Sequence, residues 1–354
     1  MTKTILSSVL QKLLSAFLCS LFFVFSCANN ERETSMAGFA LDTVCHIRIF
    51  TEKSDAEANG ILKEAFEKLR ELEAIFSPTK EESELFKLNN EDIGKPIHLS
   101  KELCYVIDEN LKIASLTHGK FNPCMGRLTK IWREKWHSLA ENVALPSSQE
   151  LNEALKYVDY NAMVLTDNSL VKKQPIEIDL GASAKGYATD RLEEFLRQKG
   201  IKRAIIDLGG NIKVMGSKGG ASTWKVGIKT PRKDEHGKVA GYIDVSDASV
   251  VSSGNYERCF EQDGVLYHHI ISSQTGWPVD NELSGTSVIS TNAMLADMLS
   301  TAIFVLGVEE GSRLLQQFEE CSAIIFYKDG RVLELNNDTH PIKLIDDSLT
   351  LIKK

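Results

Sequence analysis

The run from Ile176 to Asp190, IEIDLGASAKGYATD, constrains the fold of this chain more than any other stretch. Ile176, Ile178 and Leu180 alternate with Glu177 and Asp179, the pattern of a strand with one buried face, and Gly181 ends it just before a helical pattern. A strand-to-helix corner is expected. Such a corner offers unpaired backbone N–H groups at the new helix's N-terminus, suited to an anion such as a phosphate, and Lys185 falls in the first turn. Gly181, Ala182, Ser183, Ala184 and Gly186 are small enough for a ligand to approach the backbone. Local features alone also fit a tight connection carrying a surface lysine.

The N-terminus reads as an export signal. Lys3 and Lys12 precede an apolar run from Leu13 to Phe25, shorter than the roughly 20 residues of a membrane span but suited to a signal-peptide core. Val24-Phe25-Ser26-Cys27 resembles a bacterial lipobox, with Cys27 as the lipidated mature N-terminus and Phe25 bulkier than usual. Cleavage at Cys19 is rejected, because Leu18 would occupy the position that should be small. Residues 1–26 are thus expected to be a lipoprotein signal peptide and 27–36 a flexible tether, since Ala28 to Met36 is polar and aperiodic. One large domain over 37–340 and a C-terminal tail over 341–354 complete the division.

With 354 residues and 43% hydrophobic content, the chain can bury a substantial core without an internal linker. A net charge of −8 and the lack of a basic run argue against a nucleic-acid partner. Beyond Cys19 and Cys27 there are five cysteines (Cys45, Cys104, Cys124, Cys259, Cys321), scattered without CxxC spacing; an odd count in an exported protein excludes a complete disulfide framework and offers no zinc site.

Phe39 to Phe50 alternates as a strand, and Ser54-Asp55-Ala56-Glu57 opens a helix as a capping box. A second helix is expected over Lys101 to Thr117 and a third from Ser147. Between these two the breakers in His118-Gly119-Lys120-Phe121-Asn122-Pro123 mark a loop, followed by Trp132 and Trp136 on one i,i+4 face. A helix from Ser183 to Lys199 stops at Gly200, and strand-like runs dominate from Arg203 to Ser290. Asn292 caps a further helix that Gly307 terminates; Glu309 to Phe318 is helical, and a hairpin turns at Lys328-Asp329-Gly330. Strand runs separated by clustered helices indicate an α+β fold with largely antiparallel sheets.

Two further signals carry chemistry. Asp297 and Thr301 lie four apart on an apolar helix, offering a carboxylate and a hydroxyl to one divalent cation, and a carboxylate among Leu295, Met298 and Leu299 needs a partner. An Asp and a Thr at this spacing are otherwise a solvated face. His268 and His269 end a strand that runs toward Gly276, and imidazole suits proton transfer near neutrality, although a strand histidine is more often structural.

Taken together, these motifs resemble the ApbE family of bacterial flavin transferases, which move FMN from FAD onto protein threonines. The motifs stand in family order: LDT at Leu41, FSPTKEESELFKLN from Phe76, GKFNP from Gly119, IDLGASAKGYATD from Ile178, IDLGGN from Ile206, SSGNYER from Ser252, HII and TG around His269 and Gly276, and ADMLSTA from Ala296. The resemblance implies an ApbE-like, T-fold-related single large domain. It implies Mg²⁺ held by the Ala182 carbonyl with Asp297 and Thr301, and FAD contacts from Leu41, Thr79, Gly119, Lys120, Phe121, Asp179, Lys185 and Ile271. His269, or alternatively His268, would accept the hydroxyl proton of an acceptor threonine in an exported or membrane redox-complex subunit, with AMP released. The implied location is the periplasmic face of the inner membrane.

Three departures stand out. Asp42 occupies the place of a family Gly, Ser272 and Ser273 replace an Asp-Pro pair, and Thr79 stands where many members carry an aromatic ring. A lost ring removes about 1 kcal/mol of stacking and admits water, so hydrolysis of FAD to FMN and AMP is an alternative. A non-catalytic flavin-binding lipoprotein is another. The anchor has its own test: Cys27→Ala should move the protein from the carbonate-washed membrane fraction to the soluble one, because diacylglyceryl modification supplies two chains where one gives only reversible binding. Undiminished membrane retention would refute lipidation at Cys27.

Overall fold

The computed structural model describes residues 31–136, 143–218, 222–231 and 238–352, so Cys27 and the export signal lie outside the described residues. Nine strands form the main sheet, and their spatial order is their order along the chain. They are β1 (Arg32–Ala40), β2 (Thr43–Thr51), β3 (Arg203–Leu208), β4 (Asn211–Met215), β5 (Ala248–Gly254), β6 (Leu283–Ser290), β7 (Ser322–Tyr327), β8 (Arg331–Leu335) and β9 (Thr350–Ile352). All neighbours pair antiparallel except β8 and β9, which run parallel. Helices therefore enter as insertions between consecutive strands.

Six of them, α1 (Asp55–Phe76), α2 (Glu84–Asn90), α3 (Lys101–Leu116), α4 (Gly126–Trp136), α5 (Ser148–Leu155) and α6 (Ala184–Gln198), lie between β2 and β3; α7 (Ala293–Leu315) lies between β6 and β7. Alternate residues of the central strands divide between two cores. Val251, Val288, Ala323, Ile325 and Leu333 join α1, α6 and α7, whereas Val250, Ile289, Ile324, Phe326 and Val332 pack against Trp224, Val226 and Ile243 of a small sheet on the other face. With both faces covered, β6 is buried along its whole length. This is the expected α+β, largely antiparallel architecture. Among the described residues no helix is long and apolar enough to cross a membrane.

Local rules account for most boundaries. Ser54 with Glu57 and Ser147 with Glu150 form capping boxes, Ser100 caps α3, and Gly200 takes φ 79° just past α6. Asn292 Oδ1 accepts from the Leu295 amide at 2.8 Å, while both oxygens of Asp190 accept from the Ala293 and Met294 amides at 2.9 Å. Gly307, at φ 76°, breaks α7 internally where its termination is expected.

Three expectations are corrected. The tether is not flexible up to Met36: from Arg32 the chain is already β1, hydrogen-bonded to β2 over its whole length, and an alternating exposed strand has no helical or strongly apolar period to betray it. The tail is not a tail, because Lys343–Leu344 adds to the small sheet, Thr350–Ile352 is β9, and Ile342 and Leu349 are buried in the second core. Ile176 to Leu180 is extended with its three apolar residues buried, but it joins no sheet. Its backbone is satisfied instead by the Asn89 side chain, which brackets Ile178 at 2.7 and 2.8 Å, and by loop contacts from Glu177 to Gly126 and from Asp179 to Pro123.

Helices α6 and α7 meet at Gly186, where an added Cβ would lie 2.4 Å from the Ala293 carbonyl oxygen and 2.6 Å from Met294 Cα. Alanine gains about 1 kcal/mol of helix propensity over glycine, but backbone atoms at that separation cannot yield without shifting a helix. Gly186→Ala should therefore be net destabilising by about 1–3 kcal/mol, read as a lower denaturant midpoint at unchanged m-value. A midpoint at or above wild type would show that the helices do not touch there.

Candidate active site

A cavity of about 460 Å³ opens beside the start of α6. Its wall includes Leu41, Thr79, Lys120, Phe121, Asp179, Ala182, Lys185, His269, Ile271, Asp297 and Thr301, so eleven of the sequence-derived candidates converge although they span the chain. Gly119 does not line it. That glycine takes φ +77° one residue behind the wall, and its carbonyl accepts from Ser273 Oγ at 2.8 Å.

The corner itself is not the open nest of amides that its sequence suggests. The Gly181 amide donates to Asp179 Oδ1, those of Ser183 and Ala184 donate to the Leu180 carbonyl, and Gly186 donates to Asp297 Oδ2 at 3.0 Å. The last of these matters most. With Ser183 at the N-cap, position 186 lies in the first turn of α6, where an amide has no intrahelical acceptor, and Asp297 supplies the partner that the Ser183 side chain does not. Thr301, one turn along α7, lines the same cavity and lies 3.2 Å from Ser253 Oγ.

Asp297 is 3% exposed, and burial holds its carboxyl above the usual carboxylate range. Lys185, whose Nζ is 3.7 Å away, and the Gly186 amide oppose that shift. Asn211 also favours the charged form, yet its Nδ2 makes no hydrogen bond among the described residues. The Asp297 carboxylate, the Thr301 hydroxyl and the Ala182 carbonyl, from residues that line one cavity, offer an all-oxygen donor set, which fits a hard cation such as Mg²⁺ with water completing its shell. Among the described residues no three His, Cys, Asp or Glu side chains gather to hold a metal, so a softer cation has no cage.

The cavity's charges are already spoken for. Lys80, Lys120, Arg133, Lys185 and Arg258 line it, and each pairs with a carboxylate: Glu73, Glu310, Asp179, Asp297 and Asp42 respectively. A doubly anionic ligand gains little from such a balanced wall unless a further cation enters with it. Buried polar atoms point to a ligand as well. Of the seven described buried side-chain atoms without a partner, three line this cavity: Trp136 Nε1, Asn211 Nδ2 and His269 Nδ1.

Burial pushes His269 down to about 3, with His268, Arg258 and Lys185 acting in the same direction and the Arg258 backbone opposing. Part of the ring reaches the cavity, but the surrounding protein is dense enough to keep it neutral. His268 serves structure instead: its Nε2 lies 3.0 Å from the Val279 carbonyl and its Nδ1 accepts from the Ile270 amide at 3.3 Å, which leaves neither nitrogen for substrate.

The three departures each have a local account. Leu41 and Asp42 take φ 52° and 60° in the β1–β2 turn, a left-handed conformation that Asp tolerates, and Arg258 holds the Asp42 carbonyl at 2.8 Å. Ser272 Oγ accepts from the amides of Gln274 and Thr275, the turn-closing role of an Asp, and Ser273 pins the Gly119-Lys120 loop. Thr79 is exposed, with its hydroxyl 3.3 Å from Ser77 Oγ. Thr129, Arg133 and Trp136 also line the cavity and were absent from the sequence-derived set, although their i, i+4, i+7 spacing on α4 was legible.

A model of the ApbE family matches residues 41–325. The chain is 32% identical to a Treponema pallidum protein named FAD:protein FMN transferase, covering 96% of this chain and 97% of that one. A Klebsiella pneumoniae protein of the same name is also 32% identical, over 77% of this chain and 84% of its own length. Among solved structures, the ApbE protein of Thermotoga maritima aligns with a TM-score of 0.75 at 31% identity, covering 85% of this chain and 96% of that one. The flavin transferase ApbE of Vibrio cholerae gives 0.75 at 25% identity over 89% and 97%.

Acid should weaken the fold through His268. Burial lowers it from 6.5 to about 4, so the unfolded chain takes up the proton first. The stability this neutral residue confers is complete above pH 6.5 and is lost as pH falls toward 4, a difference on the order of 3 kcal/mol. Denaturant titrations at pH 7 and pH 5 should show a shallower pH dependence for His268→Gln than for wild type; equal slopes would mean that His268 is not buried in its neutral form.

Proposed function

This chain belongs to the ApbE family and transfers FMN from FAD to a protein, and we propose that it does so in the cavity between the Asp179–Lys185 corner and α7. The observation that carries the assignment is that Ala182, Asp297 and Thr301 line one charge-balanced cavity, with the Asp297 carboxylate fixed there by the Gly186 amide, so that a carbonyl, a carboxylate and a hydroxyl are available together as oxygen donors. Mg²⁺ held there would supply Lewis acidity and the positive charge that the pyrophosphate of FAD needs.

The chain's own residues then divide the work. Lys185 and Lys120 exchange their carboxylate partners for phosphate oxygens, while Leu41, Phe121 and Ile271 supply apolar wall and Asp179, tied to Thr129 at 2.7 Å, holds the corner in shape. A threonine Oγ of the acceptor attacks the FMN phosphorus, the bond from that phosphorus to the bridging oxygen breaks, and AMP departs with that oxygen. His269 takes the hydroxyl proton; the negative charge of bound substrate raises its low basicity toward what the task requires. Exported or membrane redox subunits are the acceptors, met at the periplasmic face of the inner membrane by a body anchored through Cys27.

Hydrolysis of FAD to FMN and AMP is the second reading, favoured by Thr79, which is exposed at the cavity wall and brings no ring to stack on the substrate. The third reading, flavin binding without chemistry, loses its motive once Ser272 is seen to fill the turn-closing role of the missing Asp.

Asp297→Asn keeps an oxygen for the Gly186 amide and removes the charge. In wild type, Mg²⁺ should raise the melting temperature, and FAD with an acceptor peptide should yield a peptide heavier by FMN. The variant should keep its circular dichroism spectrum, lose the Mg²⁺-dependent rise and lose at least a hundredfold in transfer rate, on the order of the 3 kcal/mol that a charged ligand supplies. Retained Mg²⁺ stabilisation in the variant would remove Asp297 from the site, and AMP release without peptide modification would favour hydrolysis.

A further inference from the structure

We propose that the open edge of β1 takes the acceptor protein as an added strand, which carries its threonine past Phe39 into the cavity; the inference rests on FMN transfer with His269 as the proton acceptor. β1 ends the nine-strand order, and among the described residues only β2 pairs with it. The register says which backbone groups stay free. Leu41 and Asp42 both take positive φ in a two-residue turn, so Ala40 and Thr43 form the hydrogen-bonded pair that closes it. Bonded and non-bonded pairs then alternate along an antiparallel ladder, which turns the amides and carbonyls of Glu33, Ser35, Ala37 and Phe39 away from β2. All four residues are exposed.

A row of this kind is ordinarily protected by charge, proline or a covering segment. From Thr34 to Ala40, TSMAGFA, there is neither a charge nor a proline; Arg32 and Glu33, which precede it, are paired with Asp55 and Arg48 at the far end of the strand. An extended segment with small uncharged side chains can therefore lie along the edge, main chain to main chain. The edge also leads to the chemistry. Phe39, Leu41, Asp42 and Thr43 are in the cavity wall, and Phe39 and Val44, opposite each other in the ladder, are 68% and 53% exposed, an apolar pair at its mouth. Arg258 joins this turn to the proton acceptor: its guanidinium donates to the Asp42 carbonyl at 2.8 Å, and its backbone reaches the His269 ring. A strand laid on β1 thus ends beside the group that takes the hydroxyl proton. An acceptor segment fits this edge better than a second copy of the chain, because transfer requires a foreign threonine at this end of the cavity and two paired β1 edges would occupy its approach.

Hydrogen exchange reads the edge directly. The probes are peptides with one threonine among small uncharged residues, each with a counterpart carrying valine in its place that can dock but not react. Docking should slow exchange of the Ser35, Ala37 and Phe39 amides, while the amides bonded to β2 stay as slow as before. Ala37→Pro removes one outward amide without touching the ladder to β2. It should raise KM for the peptide about threefold to tenfold, the size of one main-chain hydrogen bond, with kcat and FAD affinity unchanged. Should that variant fail to fold, Ala37→Lys, a charge of the kind that protects edges, should raise KM likewise. Unchanged exchange with every peptide, an unchanged KM in the variant, or an equal loss of FAD affinity would overturn the proposal. So would protection that appears without peptide as the protein is concentrated and dimerises, which would give the edge to a second copy. Peptides that protect the edge yet never gain FMN would refute the transfer reading and leave the docking edge in place.

Discussion

Everything distinctive about this molecule depends on the contact between the Gly186 amide and the Asp297 carboxylate. An ionisable group that is 3% exposed costs several kcal/mol unless partners surround it, and α7 otherwise buries an almost unbroken apolar surface. The cost is offset by an amide taken from a neighbouring helix, a lysine at 3.7 Å and the leaning Asn211 side chain. That arrangement requires backbone-to-backbone approach, so a residue without Cβ stands at 186. It also satisfies a first-turn amide of α6 that has no intrahelical acceptor, where Ser183 makes no side-chain cap.

The cavity shows the same economy in its charges. Five basic side chains each hold a carboxylate, so the empty wall is nearly neutral and folds without a large field of one sign. A pyrophosphate must then trade partners with these pairs, which makes an accompanying cation part of recognition rather than an accessory. Trp136 Nε1 and His269 Nδ1, which have no partner among the described residues, fit that account.

Most of the element types were legible in the sequence. Capping boxes at Ser54 and Ser147, the Gly200 stop and the Gly307 break are short-range devices whose residues act within a few positions of themselves. The order of the family motifs identified eleven of the cavity's residues. Errors fell where partners come from far away. β1 carries no period that separates it from a tether until β2 pairs with it, and the last strand exists only because β8 offers it an edge.

The sequence by itself determined the α+β class, the capped helix ends, and the set of chemical groups available, because periodicity, caps and side-chain chemistry are properties of neighbours along the chain. It did not determine which of those groups are free. Whether an amide at the corner of Gly181 to Gly186 awaits a phosphate or is already bonded, whether His268 or His269 faces the cavity, and whether a tryptophan at the end of α4 is core or binding surface were decided by elements up to a hundred residues and more away, as with Gly186 and Asp297. Hydrogen bonds are saturable, so availability is fixed only when the last competing partner has been placed.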